Sequence, residues 1–372
     1  MPITVVEVST KPQLMQFIKL PWKVYEDDPC WVPPLILMVK EALNQEKNPF
    51  FEHGDAQYFL ATDNGRPVGR IAAFIDRGHN RVYRSKVGGF GFFETINDEA
   101  VARALIDTAE QWVAERGMDT MMGPMNFSIL NECGALIDGF EWPPMVFLAH
   151  TPPYYAELME RLGFGKSRDL YAYLIDQNEI PPKLERVARQ LERRRGLLVR
   201  HADKKHLMRE LQIIGQVYND AWSENWGFVP MTPSELNHLA KEFVDVIDTR
   251  LTFIAEIDGE PAGFAISVPN INEAIIKANG RLFPFGIFKL LWYRRKIKGL
   301  RIALMGVRKE YRNLGLDALF YYRTYVVGSR LGYERGEMSW ILEDNLPMIR
   351  VLETLGARRY KTYRIYERAI KG

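Results

Sequence analysis

The chain has little of what several protein classes require. Its 372 residues include two cysteines, Cys30 and Cys133, and six histidines. Two thiols make neither a disulfide framework nor a cysteine metal cluster. The scattered histidines show no ligand spacing, so no metal is expected. No apolar run approaches the ~20 residues that span a bilayer. The opening MPITVVEVSTK lacks the basic, apolar and small-residue order of a secretory signal. A cytoplasmic location is therefore the expectation. HExxH, GxSxG and CxxC are missing, and Gly88-Gly-Phe-Gly91 leads into a strand rather than a helix, which excludes a dinucleotide fingerprint. Disorder is excluded as well, because 47% of the residues are hydrophobic. The length suits two domains.

The formal net charge of +2 hides an asymmetry. Residues 1–178 hold 16 Lys+Arg and 24 Asp+Glu, a balance of −8; residues 179–372 hold 33 and 23, a balance of +10. An anionic ligand is expected on the second half. Part of the excess belongs to a charged helix around Lys183 to Arg195.

The chain also repeats itself. Tyr58–Gly69 aligns with Thr252–Gly263 at an offset of 194, with Phe59/Phe253, Ala61/Ala255, Gly65/Gly259, Pro67/Pro261 and Gly69/Gly263 identical. Val24, Tyr25 and Asp27 match Val217, Tyr218 and Asp220 at 193, and Met159–Phe164 matches Leu352–Ala357 at the same spacing. Three matches in one order indicate a tandem duplication. The first copy is elaborated near 125–150 and the second near 271–300.

Each copy reads as strand (Thr4–Val8 or Leu197–His201), helix (Lys11–Tyr25 or Lys204–Ala221), Pro-rich loop and strand–turn–strand. Then come a strand (Gly89–Glu94 or Arg301–Val307), a helix (Asp98–Arg116 or Leu316–Gly332), a strand (Thr120–Gly123 or Glu337–Leu342), a short helix and closing strands (Leu170–Ile175 or Thr362–Glu367). This order predicts an α/β fold, with a mixed central sheet flanked by helices in each half. The expected organisation is a first domain at 1–178, a linker and charged helix at 179–196, and a second domain at 197–372. The linker itself is placed at 176–182.

The most informative stretch is Ala303–Asp317. Here a strand ending at Val307 runs into Arg312-Asn313-Leu314-Gly315, and a helix starts at Leu316. Unsatisfied N–H groups at such a helix start face an anion, Gly315 permits close backbone approach and Arg312 adds a cation. The pattern is a pyrophosphate cradle without the GxxxxGK[ST] of nucleotide triphosphatases.

These residues resemble the GNAT superfamily of acyl-CoA-dependent N-acetyltransferases, whose strand ends in Val before Arg/Gln-x-x-Gly-x-Gly/Ala at a helix start. Val307, Arg312 and Gly315 match; Asp317 stands at the last small position. A second family segment, Asn before a helix ending Tyr-x-x-Leu-Gly-Phe, is matched by Asn345 and Leu355-Gly356, with Leu352 where the tyrosine protonates the departing thiolate. The first half has Phe93-Glu94-Thr-Ile-Asn-Asp98, with no Gly and no cation, and Met159 at the tyrosine position. It therefore resembles a degenerate copy without the cradle. The whole resembles two-domain bacterial GNAT-like proteins carrying Trp-Val-Pro-Pro, Gly-Phe-Phe-Glu and Gly-Pro-Met-Asn segments.

The resemblance implies acetyl-CoA or another acyl-CoA as cofactor, held in the second half by Met305, Val307, Arg312, Asn313, Leu314, Gly315, Leu316 and Asn345. It implies transfer of an acyl group to an amine acceptor. The alternative is a non-catalytic module that binds acyl-CoA or acyl carrier protein. In this family the loop after the first helix lines the acceptor pocket, here with Asn219, Trp222, Asn225 and Trp226; the competing reading makes the tryptophans core and an Asn a helix cap. An ammonium acceptor must lose a proton, and Glu224 or Glu343 acting through water is the candidate base, against a reading of both as surface acids. In the first half, Asn131-Glu132-Cys133-Gly134 falls within the insertion, and Cys133 has no fixed His partner.

No acid lies between Glu273 and Glu310, whereas Lys277, Arg281, Lys289, Arg294, Arg295, Lys296, Lys298 and Arg301 do, interleaved with apolar residues. The stretch 277–301 reads as a solvated basic edge, a dock for an acidic partner such as acyl carrier protein, or a rest on an anionic membrane surface. The acidic first half argues against nucleic acid. A small-molecule amine or acyl-chain substrate is the expected ligand.

Overall fold

The structure is a computed structural model and describes residues 3–176, 180–244 and 248–370. In chain order the elements are β1 (Thr4–Glu7), α1 (Lys11–Lys19), α2 (Pro21–Val24), α3 (Ile36–Ala42), β2 (Gly54–Asp63), β3 (Arg66–Asp76), α4 (Arg77–Tyr83), β4 (Val87–Thr95), α5 (Glu99–Ala114), β5 (Thr120–Gly123), β6 (Ala135–Asp138), α6 (Tyr154–Arg161) and β7 (Gly165–Asp176). There follow α7 (Pro182–Glu192), β8 (Leu197–His201), α8 (Leu207–Ala221), α9 (Pro233–Val244), β9 (Thr252–Ile257), β10 (Glu260–Pro269), α10 (Asn272–Ala278), α11 (Gly286–Arg294), β11 (Gly299–Val307), α12 (Leu316–Arg330), β12 (Arg335–Leu342), α13 (Leu346–Thr354) and β13 (Arg358–Ala369).

Local chemistry explains the boundaries. Thr10 and Gln13 form a reciprocal capping box at α1. The expected helix Lys11–Tyr25 is broken in two because Pro21 lacks the N–H that an unbroken helix needs. Asp98 caps α5 through the N–H groups of Ala100 and Val101, and the helix buries Val101, Leu105, Ile106, Ala109 and Val113 against the sheet. The linker expected at 176–182 falls partly outside the described residues. The charged helix after it is α7, which packs Leu184 and Ala188 into the core around α12.

Contacts divide the chain into two units that differ from consecutive halves. Unit 1 comprises residues 1–170, 275–291 and 361–372; unit 2 comprises 171–274 and 292–360. Strand β7 thus starts in unit 1 and ends in unit 2, while β13 starts in unit 2 and ends in unit 1. Each copy takes its closing strand from the other part of the sequence. Within unit 1 the strand order is β1-β2-β3-β4-β5-β13, with β6 also on β13; within unit 2 it is β12-β11-β10-β9-β8.

The duplication is visible in the register. Ala61 faces Gly69 in one hairpin, and Ala255 faces Gly263 in the other; Val6 faces Leu60, and Arg200 faces Ile254. Both hairpin turns have two residues at positive φ, Asn64-Gly65 at 49° and 75° and Asp258-Gly259 at 52° and 88°, which is why Gly stands at the same place in each.

Unit 1 is held at its far strands by a bidentate pair. Arg364 on β13 donates from Nε and a terminal nitrogen to Asp169 on β7 at 2.8 and 3.0 Å, with Lys166 at 3.2 Å. Burial alone would raise the Asp169 pKa; the hydrogen bonds from Arg364 and Lys166 outweigh it and hold the carboxyl low. A carboxylate with a lowered folded pKa adds stability above the unfolded value and loses it as pH falls through the folded one. Asp169→Asn is expected to lower unfolding stability by roughly 1–3 kcal/mol near neutral pH. That gap should narrow below the ordinary aspartate value of 3.8, as chemical denaturation at several pH values would show.

Candidate functional site

In unit 2, β11 and β12 run parallel and pair only from Gly299–Ile302 against Arg335–Met338. Among the described pairs none continues the ladder, although β11 runs on to Val307 and β12 to Leu342. The strands splay there, and Ala303, Leu304, Met305 and Val307 are half-buried on the free edge. Trp222 reaches in from the end of α8 and donates from Nε1 to the Met305 carbonyl at 3.1 Å.

The loop beyond the splay has the expected cradle features. Asn313 and Gly315 have φ of 70° and 83°, and α12 begins at once with no side-chain cap. Its first N–H groups therefore point out of the helix start without an intrahelical acceptor. A Cβ on Gly315 would lie 3.2 Å from Leu191 of α7, so glycine serves both the left-handed backbone and close packing. Arg312 braces the loop by donating to the Ala221 carbonyl at 2.7 Å.

The other expected residues are placed less uniformly. Glu224 is exposed and clamped by Lys309 at 3.0 Å and Arg312 at 3.4 Å. Lys309 is the main cause of a pKa below the usual carboxylate range, which makes Glu224 a poor proton acceptor. Glu343 is half-buried just past β12. Asn219 accepts from Met231 N, which holds the acceptor-side loop, and Asn225 and Trp226 are half-buried on that loop. Asn345 caps α13 by accepting from Met348 N at 3.3 Å. Leu352, at the place of the family's tyrosine, is fully buried and offers no hydroxyl.

Unit 1 treats the same architecture differently. Its parallel pair, β4 with β5, also stops early, at Gly89 and Met122. Here the gap is filled by the chain. Met125 N donates to Phe90 O at 2.8 Å, Phe92 N to Asn126 Oδ1 at 2.8 Å, and a Cβ on Gly91 would collide with the Met125 carbonyl. The backbone of the first copy's insertion occupies the splay that unit 2 leaves open.

Beside this plug lies a polar cluster that the sequence reading passed over. Arg70 on β3 faces Glu94 on β4, where the second copy has Phe264 facing Gly306. Tyr25 and Tyr155 donate to Glu94 Oε2 at 2.9 and 2.8 Å, and Arg70 lies 3.6 Å from Oε1. Burial raises the pKa of Glu94 despite the Arg70 charge, and burial keeps both tyrosines protonated as donors. Tyr155 sits one helical turn before Met159, on the same face of α6.

Glu132, in the insertion, takes a hydrogen bond from Asn126 Nδ2 at 3.1 Å. Solvent reaches it, yet protein crowds the carboxyl closely. Lost hydration, then the Glu94 charge, push its pKa up to about 7. The missed signal was a charge inside each of two apolar strands, Arg70 before Ile-Ala-Ala-Phe and Glu94 after Gly-Phe-Phe, since such residues are buried only when paired. Cys133 is buried and donates weakly to Ile129 O at 3.7 Å, an inert setting for a thiol. Among the described residues no group of three His, Cys, Asp or Glu is placed to hold a metal ion, and no helix is long and apolar enough to cross a membrane.

Both units have a mixed sheet with one splayed parallel pair and a helix starting beyond it, the GNAT fold in tandem. Solved structures agree. A tandem GNAT protein from the clavulanic acid biosynthesis pathway superposes over 100% of this chain and 99% of its own, with a TM-score of 0.58 at 13% identity. A GCN5-related N-acetyltransferase from Sphaerobacter thermophilus gives 0.56 at 13% identity, over 100% and 96%. No family model matches the chain. Two curated bacterial proteins do: the bacterial ceramide synthase of Caulobacter vibrioides, 42% identical across 99% of this chain and 98% of that one, and protein YghO of Escherichia coli, 39% identical across 97% and 94%. The chain belongs to the family these two proteins represent.

The cap at Asn345 gives a local test. Asn345→Ala is expected to cost about 0.5–2 kcal/mol of stability and Asn345→Asp little, since Asp caps equally well. Thermal unfolding of the two variants measures the difference, and CoA titration of the Asp variant reads any separate loss of ligand contact.

Proposed function

We propose that the protein is an acyl-CoA-dependent N-acyltransferase whose acceptor is a long-chain amine. The observation that carries the donor half is the open splay of β11 and β12 in unit 2 beside an uncapped helix start, against a plugged splay in unit 1. A pantetheine arm carries amides, and the edge of β11 facing away from β10 around Val307 suits strand-like backbone pairing, with the Met305 carbonyl already taken by Trp222. The N–H groups of Asn313, Gly315 and Leu316 and the charge of Arg312 suit a pyrophosphate, while Leu314 N–H is taken by the Tyr311 carbonyl at 3.4 Å. When bound, acyl-CoA supplies an acyl group activated as a thioester. The half-buried Trp222 and Trp226 suit an apolar acceptor.

Support for a long-chain amine comes from the relative called a ceramide synthase, since a ceramide is an N-acylated long-chain amino alcohol. The amine attacks only after losing a proton. Glu224 is held too acidic for that task, which leaves Glu343, half-buried just past β12 in the same unit as the cradle. The reading therefore gives the proton to Glu343. Acylation of a long-chain amine by palmitoyl-CoA, followed by mass spectrometry, tests the activity; CoA binding without product under all conditions would leave the non-catalytic module.

Two variants separate the halves of this proposal. Asn313→Asp keeps size and a residue tolerant of positive φ, but sets a negative charge in the loop. CoA affinity measured by calorimetry should fall about tenfold or more, roughly 1.4 kcal/mol, with the melting temperature unchanged. Glu343→Gln should leave CoA affinity intact and reduce kcat/KM by roughly 100-fold or more.

A further inference from the structure

The connection between β10 and β11 holds the most exposed apolar surface of the described chain. Phe283 is 80% exposed, Phe285 70%, Phe288 67%, Leu291 55% and Trp292 62%. Phe285, just before α11 with its carbonyl accepting from Lys289 N, and Phe288 and Trp292 on α11 follow one another at helical spacing, with Leu291 beside them, so these side chains form one face. Arg281, Lys289, Arg294, Arg295 and Lys296 surround that face, and no acid occurs from Ala274 to Lys309. Lys296 lies 5.3 Å from the Trp292 ring centroid and 5.5 Å from that of Tyr293.

The base of the segment is fastened. Within unit 1, Ile275 and Ala278 are buried, the Gly280 carbonyl accepts from Ile36 N at 3.1 Å and Asn279 Oδ1 accepts from Trp22 Nε1 at 2.9 Å. Aromatic side chains this exposed on an anchored helix gain nothing for the fold. Burial of the same side chains elsewhere would contribute stability, so their position calls for an occupant.

We propose that residues 281–296 dock on the surface of an anionic lipid bilayer, with Phe283, Phe285, Phe288 and Trp292 entering the headgroup boundary and the flanking Lys and Arg meeting lipid phosphates. Charge complementarity selects this occupant. A second copy of the chain, meeting the segment by two-fold symmetry, would set the same cations against each other. An acidic protein would need apolar groups shaped to five protruding side chains, whereas acyl chains conform to any shape. Aromatic rings and basic stems at a water–lipid boundary are the physical signature of an interfacial helix. The proposal does not depend on the acyl-transfer reading and is tested without activity.

The full chain is mixed with vesicles of phosphatidylglycerol and phosphatidylcholine in equal parts, or of phosphatidylcholine alone, and sedimented. The expected result is sedimentation with the anionic vesicles, at least tenfold weaker with the neutral ones, and weakened by about 0.5 M salt. A Phe283→Ser, Phe285→Ser, Phe288→Ser variant with native circular dichroism should lose binding. In a second measurement, vesicles with brominated acyl chains should quench tryptophan fluorescence of the parent, with that quenching reduced in Trp292→Phe. The proposal is overturned if the parent stays in the supernatant with anionic vesicles. It is equally overturned if a folded triple-Ser variant sediments like the parent, if neutral vesicles bind as well as anionic ones, or if Trp292→Phe leaves quenching unchanged.

Discussion

A parallel strand pair that stops pairing halfway is the constraint on which the two units depend. Each backbone group on a free edge must find a partner or meet water. Unit 1 satisfies its edge internally: the chain after β5 turns at Pro124, donates Met125 N–H to the Phe90 carbonyl and accepts Phe92 N–H on the Asn126 side-chain oxygen. Unit 2 leaves β11 and β12 apart, with the edge residues half-buried. One copy thus fills its edge from its own chain, and the other leaves β11 beyond Ile302 without a β12 partner among the described pairs.

The same divergence appears one residue earlier on the sheet. Arg70 opposite Glu94 and Phe264 opposite Gly306 occupy equivalent positions of the duplicated fold. A buried ion pair seldom stabilises more than well-packed apolar side chains. The second copy has the apolar solution, Phe264 packed over a glycine. Unit 1 instead keeps a charge pair whose carboxylate also accepts from two tyrosine hydroxyls. The asymmetry of the duplication is thus chemical: an uncapped helix start beside an open strand edge lies on one copy, and a buried Arg70–Glu94 pair lies on the other.

Much of the fold was legible from the sequence because the repeat preserves turn chemistry. Gly65 and Gly259 mark hairpins that need positive φ, and the periodicity of α5 with its Asp98 cap locates a helix without reference to anything distant. The Arg312–Gly315 loop was legible for the same reason, being a strand–loop–helix signal within one short segment. The exchange of closing strands was not: β7 and β13 are each a plain strand in sequence, and which unit a strand joins is decided by pairing across nearly two hundred residues. The cluster around Glu94 was likewise hidden, because Tyr25, Arg70, Glu132 and Tyr155 come from four separate segments. Glu224 looked suitable as a base only until Lys309 and Arg312 were brought beside it by the fold.

The two insertions show why a duplicated fold can acquire different roles without losing its sheet. The first copy joins β3 to β4 through the short α4, whereas the second uses α10 and α11 at the same connection; the first copy's own extra residues follow β5 instead. Neither interrupts a strand shared by the two copies: the first adds β6 on β13, and the second is an excursion between strands, where added length costs little closure entropy. The hairpin registers remain superimposable at a fixed offset because nothing was inserted within them. New chemistry therefore accumulated where the sheet sets no register. The β5 insertion closed a cleft and introduced Glu132, and the β10–β11 insertion placed aromatic and basic side chains on a helix outside the core.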